Sequence, residues 1–234
     1  IDENCRTRMV SVIFDTGNLT CRSHDPDEDK ISDINLLVFD EYGRLEKSIW
    51  MDTDITSRCD MALTTEKKYR FAACVNFGYK IDLKDASELE QLKYHLAYPD
   101  EYKKGIPMYA DSGYILIRNE SPVHLKLIRL MSKISIRIDR NHLSDNIDMT
   151  VSGLRIGNCP RKALVFGRSM VNDESDNFNV GFSLSALECS GLNRAEHPGI
   201  SEAVCVYMLE NMQGRFADND ITSDEQKVIS QDDP

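Results

Sequence analysis

The feature that most constrains this chain is a succession of short segments rich in β-branched and aromatic residues, each followed by residues that form turns. Such side chains favour strands. The first segments read RMVSVIFD, INLLVFD and YRFAACVNF at residues 8–15, 34–40 and 69–77. They are followed by Thr16-Gly17-Asn18, Glu41-Tyr42-Gly43 and Gly78. In the second of these turns, Gly43 is predicted to supply the positive φ that a hairpin needs.

The second half of the chain continues in the same way. Residues 134–139 alternate, and this alternation predicts Ile134, Ile136 and Ile138 facing the core, with polar residues facing solvent. Residues 123–130 also alternate, and further strands are predicted at residues 149–156, 163–166, 178–184 and 204–209. No long helical pattern separates these segments, and parallel pairing needs such crossovers. The sheets are therefore predicted to be mostly antiparallel.

One short helix is predicted to be inserted among the strands of the first half. Ser87 and Glu90 have the spacing of a capping box. Pro99 is expected to end the helix. Three leucines recur at helical spacing between these points, namely Leu89, Leu92 and Leu96.

The number of strands predicts the domain organisation. About a dozen short strands are too many for one seven-stranded sandwich, so the sequence predicts an all-β chain of two antiparallel sandwiches in tandem. Turn-forming residues near 112–122 place the domains at residues 1–117 and 118–234. The formal net charge of −11 disfavours nucleic acid and anionic lipid as partners. No run of apolar residues is long enough for a membrane-spanning helix.

Seven cysteines and five histidines raise the question of a metal site. No cysteine pair has the C-x-x-C spacing, and no two histidines share a helical face, so neither a zinc ribbon nor a redox motif is predicted. Cys74 and Cys205 lie in apolar runs and are predicted to be small buried side chains. The odd count leaves at least one thiol unpaired within the chain, and no disulfide pairing follows from the spacing.

Two aspartates give the sharpest enzymatic alternative. Asp15-Thr16-Gly17 matches the D-T-G loop of pepsin-like aspartic proteases, and Asp111-Ser112-Gly113 offers the second carboxylate of such a mechanism. Those proteases carry Ser or Thr after the glycine, whereas this chain has Asn18 and Tyr114. A turn at each site is the preferred interpretation. An aspartic hydrolase using Asp15 and Asp111 is kept as an alternative hypothesis.

Two acidic clusters and one aromatic residue are candidate ligand-binding features. Residues 25–29 and 218–224 are rich in aspartate, but Ser223 and Ile229 occupy the glycine and glutamate positions of an EF-hand loop. Both clusters are predicted to be solvated loops. Trp50, the only tryptophan, is predicted to be a core or inter-strand residue. A surface glycan-binding module that stacks sugars on Trp50 is the third hypothesis.

The sequence carries no other pattern typical of an active site. It has no G-x-S-x-G or S-x-x-K nucleophile motif and no glycine-rich phosphate loop. The chain is therefore predicted not to be an enzyme. We assign it no catalytic, cofactor-binding or metal-binding residues and no cofactor.

Several stretches together resemble the fimbrillin-associated lipoprotein family of Bacteroidales, the anchor and accessory subunits of type V fimbriae. They read ISDINLLVFDEYGRL at residues 31–45, YRFAACVN at 69–76, IPMYA at 106–110, VHLKLIRLMSKI at 123–134 and YMLENMQG at 207–214. Each stretch is weakly specific alone. Their order and spacing over residues 9–214 carry the resemblance.

This resemblance implies two tandem transthyretin-like Greek-key sandwiches and export to the outer membrane as a lipoprotein, with the lipid on a cysteine upstream of Ile1. It also implies assembly with other fimbrial subunits, in which a β-strand from one subunit completes the sheet of another. Family members continue with further strands after the last of these stretches, whereas this sequence stops at Pro234. The C-terminal domain is expected either to lack its last strands, leaving an unfilled groove, or to end in a divergent tail. The leading hypothesis is thus a non-enzymatic structural or adhesive subunit at the cell surface.

Overall fold

The computed structural model describes residues 6–16, 28, 30–52, 57–118, 121–144, 146–166, 177–197 and 199–210. The strands of the first half are β1 (Thr7–Asp15), β2 (Ile34–Asp40), β3 (Leu45–Met51), β4 (Arg58–Thr64), β5 (Lys67–Val75), β6 (Lys93–His95), β7 (Met108–Ile117), β8 (Val123–Lys126) and β9 (Ile128–Arg129). Those of the second half are β10 (Met131–Ile136), β11 (Leu154–Ile156), β12 (Cys159–Pro160), β13 (Lys162–Leu164), β14 (Asn177–Phe178), β15 (Phe182–Leu184), β16 (Ala195–His197), β17 (Ile200–Ser201) and β18 (Val204–Leu209). The predicted all-β, mostly antiparallel class is confirmed.

Helical structure among the described residues is limited to short 3-10 helices at Ala86–Gln91, Glu101–Lys104 and Ser190–Asn193. None of them is long and apolar enough to cross a membrane.

The predicted helix near residue 90 is only partly right. Asp85 is its N-cap, with Oδ1 accepting a hydrogen bond from the Ser87 N–H at 2.9 Å. Glu88 Oε2 accepts from the Lys84 N–H at 2.8 Å, so the capping interactions begin two residues earlier than predicted. Leu92 has extended dihedral angles, and the chain then enters β6. The helix is therefore one short 3-10 segment that ends well before Pro99.

The described residues divide into two compact units. The first comprises residues 6–94, 102–130 and 164–166, and the second comprises residues 95–101, 131–163 and 177–210, with the gaps given above. The predicted domain boundary between residues 117 and 118 stays a prediction. In this division β8 and β9, which follow that boundary, belong to the first unit.

Two sheets form the first unit. One has the strand order β4-β1-β8, and the other has the order β3-β2-β5-β7-β9. Pairing is antiparallel throughout except between β1 and β8, which run parallel in the register Val12 to Val123 and Asp15 to Lys126. Gly43 has a φ of 81° at the turn between β2 and β3, as predicted.

The inner faces of these two sheets share one hydrophobic core. In β1 the buried side chains alternate with more exposed ones, and the buried set packs against the other sheet. Strand β2 is buried at nearly every position, because its second face is covered too: the side chain of Asn35 binds Tyr79 O and Ile81 N there. Fully buried members of the shared core include Val10, Val12, Leu36, Val38, Phe71 and Met108.

The second unit has a smaller core among the described residues. It is formed by Leu184, Cys189, Leu192 and Val206, with half-buried residues of β10, β11, β15 and β18 packed around it. The predicted alternation in β10 and just beyond is confirmed, since Ile134, Ile136 and Ile138 are more buried than the polar residues between them. These isoleucines are only half-buried.

Candidate functional site

The candidate site lies in the first unit, where the chain passes from one sheet to the other between β7 and β8. Strand β9 pairs with β7 only at Met108 and Tyr109. Beyond these two residues, no described strand lies beside β7 on the side away from β5. Strand β8 likewise has β1 on one side and no described strand on the other. Two sheet edges therefore face each other across the crossover.

Strand β8 turns the main-chain groups of alternate residues toward its open edge. The Leu127 N–H donates to Asp15 O at 2.8 Å, which continues the parallel register in which Asp15 is opposite Lys126. In a strand, the N–H and C=O of one residue point to the same side and those of its neighbours point to the other. The odd-numbered residues of β8 therefore bond to β1. His124 and Lys126 present their N–H and C=O groups to the open side.

Strand β7 is irregular at the start of its open edge. The register with β5 shifts between Arg70 and Ala72, and Ser112 Oγ accepts a hydrogen bond from the Phe71 N–H at 2.9 Å. Ser112 Oγ donates to Gly113 O at 2.7 Å, and the Gly113 N–H donates to Asp111 Oδ1 at 2.9 Å. Both main-chain groups of Gly113 are thus bound locally. Bulges of this kind hinder pairing at a sheet edge.

A groove of about 660 Å³ lies between these two edges. Its apolar lining includes Ile117, Val123 and Leu125, which also belong to the buried core of the first unit. Leu116 and Ile128 line it as well and are 37% and 49% exposed. The groove therefore borders the core of the sandwich, and its core residues Ile117, Val123 and Leu125 are themselves only 5%, 6% and 1% exposed. The described residues of its lining are 111, 112, 115–118, 121–126 and 128.

The charges along the groove are mainly basic. Among the described residues, Arg118, His124 and Lys126 line it, and Asp111 is the one acidic residue of the lining. Arg70 binds that carboxylate through two hydrogen bonds, Nε to Oδ1 at 3.0 Å and Nη2 to Oδ2 at 2.6 Å. Burial alone raises the pKa of Asp111, but the hydrogen bonds from Arg70 and Gly113 outweigh it, and the net pKa is lowered. Asp111 is therefore an ionised and already paired group.

The structure does not support the alternative hypothesis in which Asp15 and Asp111 form a catalytic pair. Asp15 ends β1 in one sheet, and Asp111 lies in β7 of the other. An aspartic dyad needs two carboxylates that share a proton. The ion pair with Arg70 instead holds Asp111 as a carboxylate.

The other sequence candidates divide into those that the structure describes and those that it does not. Trp50 is half-buried in β3, as an inter-strand residue is expected to be. The described cysteines are free thiols, and Cys74 is fully buried, as predicted, whereas Cys205 is half-buried. Among the described residues, no three His, Cys, Asp or Glu side chains are placed to bind a metal ion. Outside the described residues lie Gly17, Asn18, most of cluster 25–29, and residues 211–234.

Sequence reasoning missed the groove and the role of β8. The alternation of residues 123–126 predicted a strand, and it also indicated that His124 and Lys126 point away from the core. It did not indicate that β1 is the neighbour of β8. An open edge depends on which strands pair, and that pairing joins residues distant in sequence.

No protein-family model matches the chain, and no curated protein matches it in sequence. Solved structures do match. A putative cell adhesion protein from Bacteroides eggerthii aligns over 87% of this chain and 70% of its own, with a TM-score of 0.58 and 14% identity. The tip fimbrial protein Mfa3 from Porphyromonas gingivalis, solved with a C-terminal truncation, aligns over 90% and 70%, with a TM-score of 0.51 and 14% identity.

A fimbrilin from Porphyromonas gingivalis aligns over 70% of this chain with a TM-score of 0.49 and 14% identity. The chain spans only 53% of that fimbrilin's length. At such identities a structural likeness establishes the fold alone. At the level of the fold, the resemblance drawn from the sequence is confirmed. This chain has the all-β sandwich fold of fimbrial and cell adhesion proteins of Bacteroidales.

Proposed function

We propose that this chain is a structural, non-enzymatic subunit of a cell-surface fimbrium that accepts a β-strand from another subunit in the groove between β7 and β8. The observation that carries the proposal is the groove itself, which lies between two open strand edges and borders core residues Ile117, Val123 and Leu125. Fimbrial and cell adhesion proteins with the same fold support the assignment.

The physical argument starts from the cost of an open edge. Unpaired main-chain groups beside apolar side chains form a template for a further strand, and proteins normally cover such edges. A strand laid in the groove gains main-chain hydrogen bonds, each worth about 0.5–1.5 kcal/mol net. Its inward side chains also bury apolar surface, at about 25 cal/mol per Å². Both gains favour a partner's strand over water in this groove.

The finer parts of the proposal rest on the sequence resemblance. We place the chain at the outer membrane, held by a lipid on a cysteine upstream of Ile1, with sandwich domains at residues 1–117 and 118–234. Mass spectrometry of the N-terminus of the protein from its own cells tests the anchor. A lipidated cysteine is expected, and an unmodified terminus contradicts it.

Photo-crosslinking in cells tests strand addition. Benzoylphenylalanine replaces Leu116 in the groove, and a matched variant carries it at Tyr42, which is 75% exposed and lies outside the groove. We expect the Leu116 probe to join the protein to a second polypeptide and the Tyr42 probe to yield much less of this product. Equal yields from both positions, or no product from the Leu116 probe in assembled fimbriae, would contradict the proposal.

A further inference from the structure

We propose that the strand entering the groove pairs with β8 rather than β7, through the main-chain groups of His124 and Lys126, and that it alternates apolar residues with acidic ones. This inference rests on the proposed function and specifies its partner. The occupant is an extended segment of a second polypeptide, recognised by main-chain pairing, by its apolar inner face and by its acidic outer face.

The choice of β8 follows from the main-chain groups at the two edges. His124 and Lys126 turn their N–H and C=O groups away from β1, as the bond from the Leu127 N–H to Asp15 O requires. On β7, the groups of Gly113 are bound to Asp111 and to Ser112 Oγ. A strand that runs the length of the groove therefore meets a regular edge along the four residues of β8, and an edge on β7 that is interrupted at its start.

The apolar half of the pattern follows from the groove's inner surface. On β8, Val123 and Leu125 are 6% and 1% exposed and point into the core. On β7, Ile115 packs against the same core, and Ile117 is a buried member of it. Successive side chains of an added strand point to opposite faces of the sheet. Every second residue of the incoming strand therefore points toward this inner surface, where Ile115 is half-buried and the other three side chains are nearly fully buried, and is apolar.

The acidic half follows from the outer face of β8. His124 and Lys126 are exposed there, and Arg118 lies on the groove lining as well. Of these three groups, only His124 has an apolar residue opposite, Ile13, whereas Lys126 has Asp15 opposite and Arg118 has Glu66 at 3.9 Å. Asp111, the one acid in the part of the lining that the structure describes, is bound by Arg70. Opposite charges directly across two strands are favourable and like charges are unfavourable, so acidic side chains fit this face.

A proline substitution tests the choice of edge. His124→Pro removes an N–H that points away from β1, and proline is tolerated on an edge strand, so the fold is retained. His124→Ala keeps the N–H and is the matched control. Fluorescence of Trp50, the only tryptophan in the sequence, reports whether the first unit stays folded.

The probes are two fluorescent peptides of about eight residues, long enough to run beside β8 at about 3.3 Å per residue. One alternates valine with glutamate, and the other alternates valine with lysine. We expect the glutamate peptide to bind wild-type protein and His124→Ala at least tenfold more tightly than it binds His124→Pro. Equal binding to His124→Pro and His124→Ala overturns pairing with β8, even where a cross-link at Leu116 shows that strand addition occurs.

Charge reversal tests the acidic pattern. We expect the glutamate peptide to bind wild-type protein at least tenfold more tightly than the lysine peptide, and Lys126→Glu to reduce or invert this preference. If wild-type protein binds both peptides equally, or binds neither while the Leu116 cross-link forms in cells, the acidic pattern is wrong and strand addition stands. Loss of the cross-link contradicts the proposed function instead.

Discussion

Gly105 lies directly against the side-chain amide of Asn76: a Cβ atom at Gly105 would be 2.9 Å from Asn76 Cγ. Hydrogen bonds of that amide join residue 76 to two other segments of the chain, at residues 30–32 and at residue 106. Asn76 Oδ1 accepts from the Ser32 N–H at 2.7 Å, and Nδ2 donates to Lys30 O at 2.7 Å and to Ile106 O at 2.8 Å. The glycine therefore makes room for a buried amide that fixes the end of β5 against its neighbours.

Substitution of Gly105 is expected to be costly for this reason. Gly105→Ala places a methyl group into Asn76 and strains a φ of 145°, and we expect a loss of about 3 kcal/mol in the free energy of unfolding. Gly78→Ala is the matched control, because Gly78 has a φ of 73° but nothing within 4 Å of its added Cβ. Its expected loss is about 1 kcal/mol. Urea unfolding followed by Trp50 fluorescence measures both, and equal losses contradict the close contact.

The ion pair of Arg70 and Asp111 predicts a pH-dependent stability. The folded-state pKa of Asp111 is lowered, so its contribution is present above the unfolded pKa of about 3.9 and is lost as the pH falls through the folded pKa. We expect Arg70→Ala to cost about 1 kcal/mol at pH 7, since solvent reaches the pair. The difference from wild type should shrink below about pH 4. A difference that is the same at both pH values contradicts this account.

The thiol of Cys74 is expected to be inert in the folded protein. Its side chain is 0% exposed, and burial raises the pKa of the thiol, with a smaller contribution from Asp33. Because the thiolate is the reactive form, alkylation at pH 8 should modify half-buried Cys205 well before Cys74. Peptide mapping by mass spectrometry separates the sites. Cys74 should react only when urea unfolds the first unit, and equal rates in native protein contradict its burial.

Local sequence patterns were sufficient to predict the strands but not their partners. Residues 34–40 and 69–77 contain β2 and β5 because their apolar and β-branched runs match buried strands. The helix was misplaced because Asp85 competes with Ser87 for the cap, and only the hydrogen bonds decide between them. The parallel pairing of β1 with β8 is the exception within the mostly antiparallel first unit, and it has no local signature.

The location of the groove illustrates the same limit. The family resemblance predicts an unfilled groove in the C-terminal domain, and residues 211–234 lie outside the described residues. The groove described above lies in the first unit, between β7 and β8, and the expectation for the C-terminal domain stays a prediction. Its lining segments, 111–118 and 121–128, are adjacent in sequence. Their edges are open because no described strand pairs with them on that side. Which strands pair is decided by the whole sheet and not by the local sequence.

A substitution at Leu116 tests assembly of the proposed fimbrial subunit separately from its folding. It is 37% exposed in the groove, so Leu116→Arg should change the free energy of unfolding by less than about 1 kcal/mol. Once a partner strand covers the groove, the guanidinium is held against apolar surface, and its desolvation opposes binding. We expect incorporation into surface fimbriae, measured by immunoblotting of sheared fibres, to fall at least tenfold. Met9→Arg is the matched control, because Met9 is 59% exposed on β1 and outside the groove. It should assemble as wild type does, and equal incorporation of the two variants would show that the groove is not where subunits join.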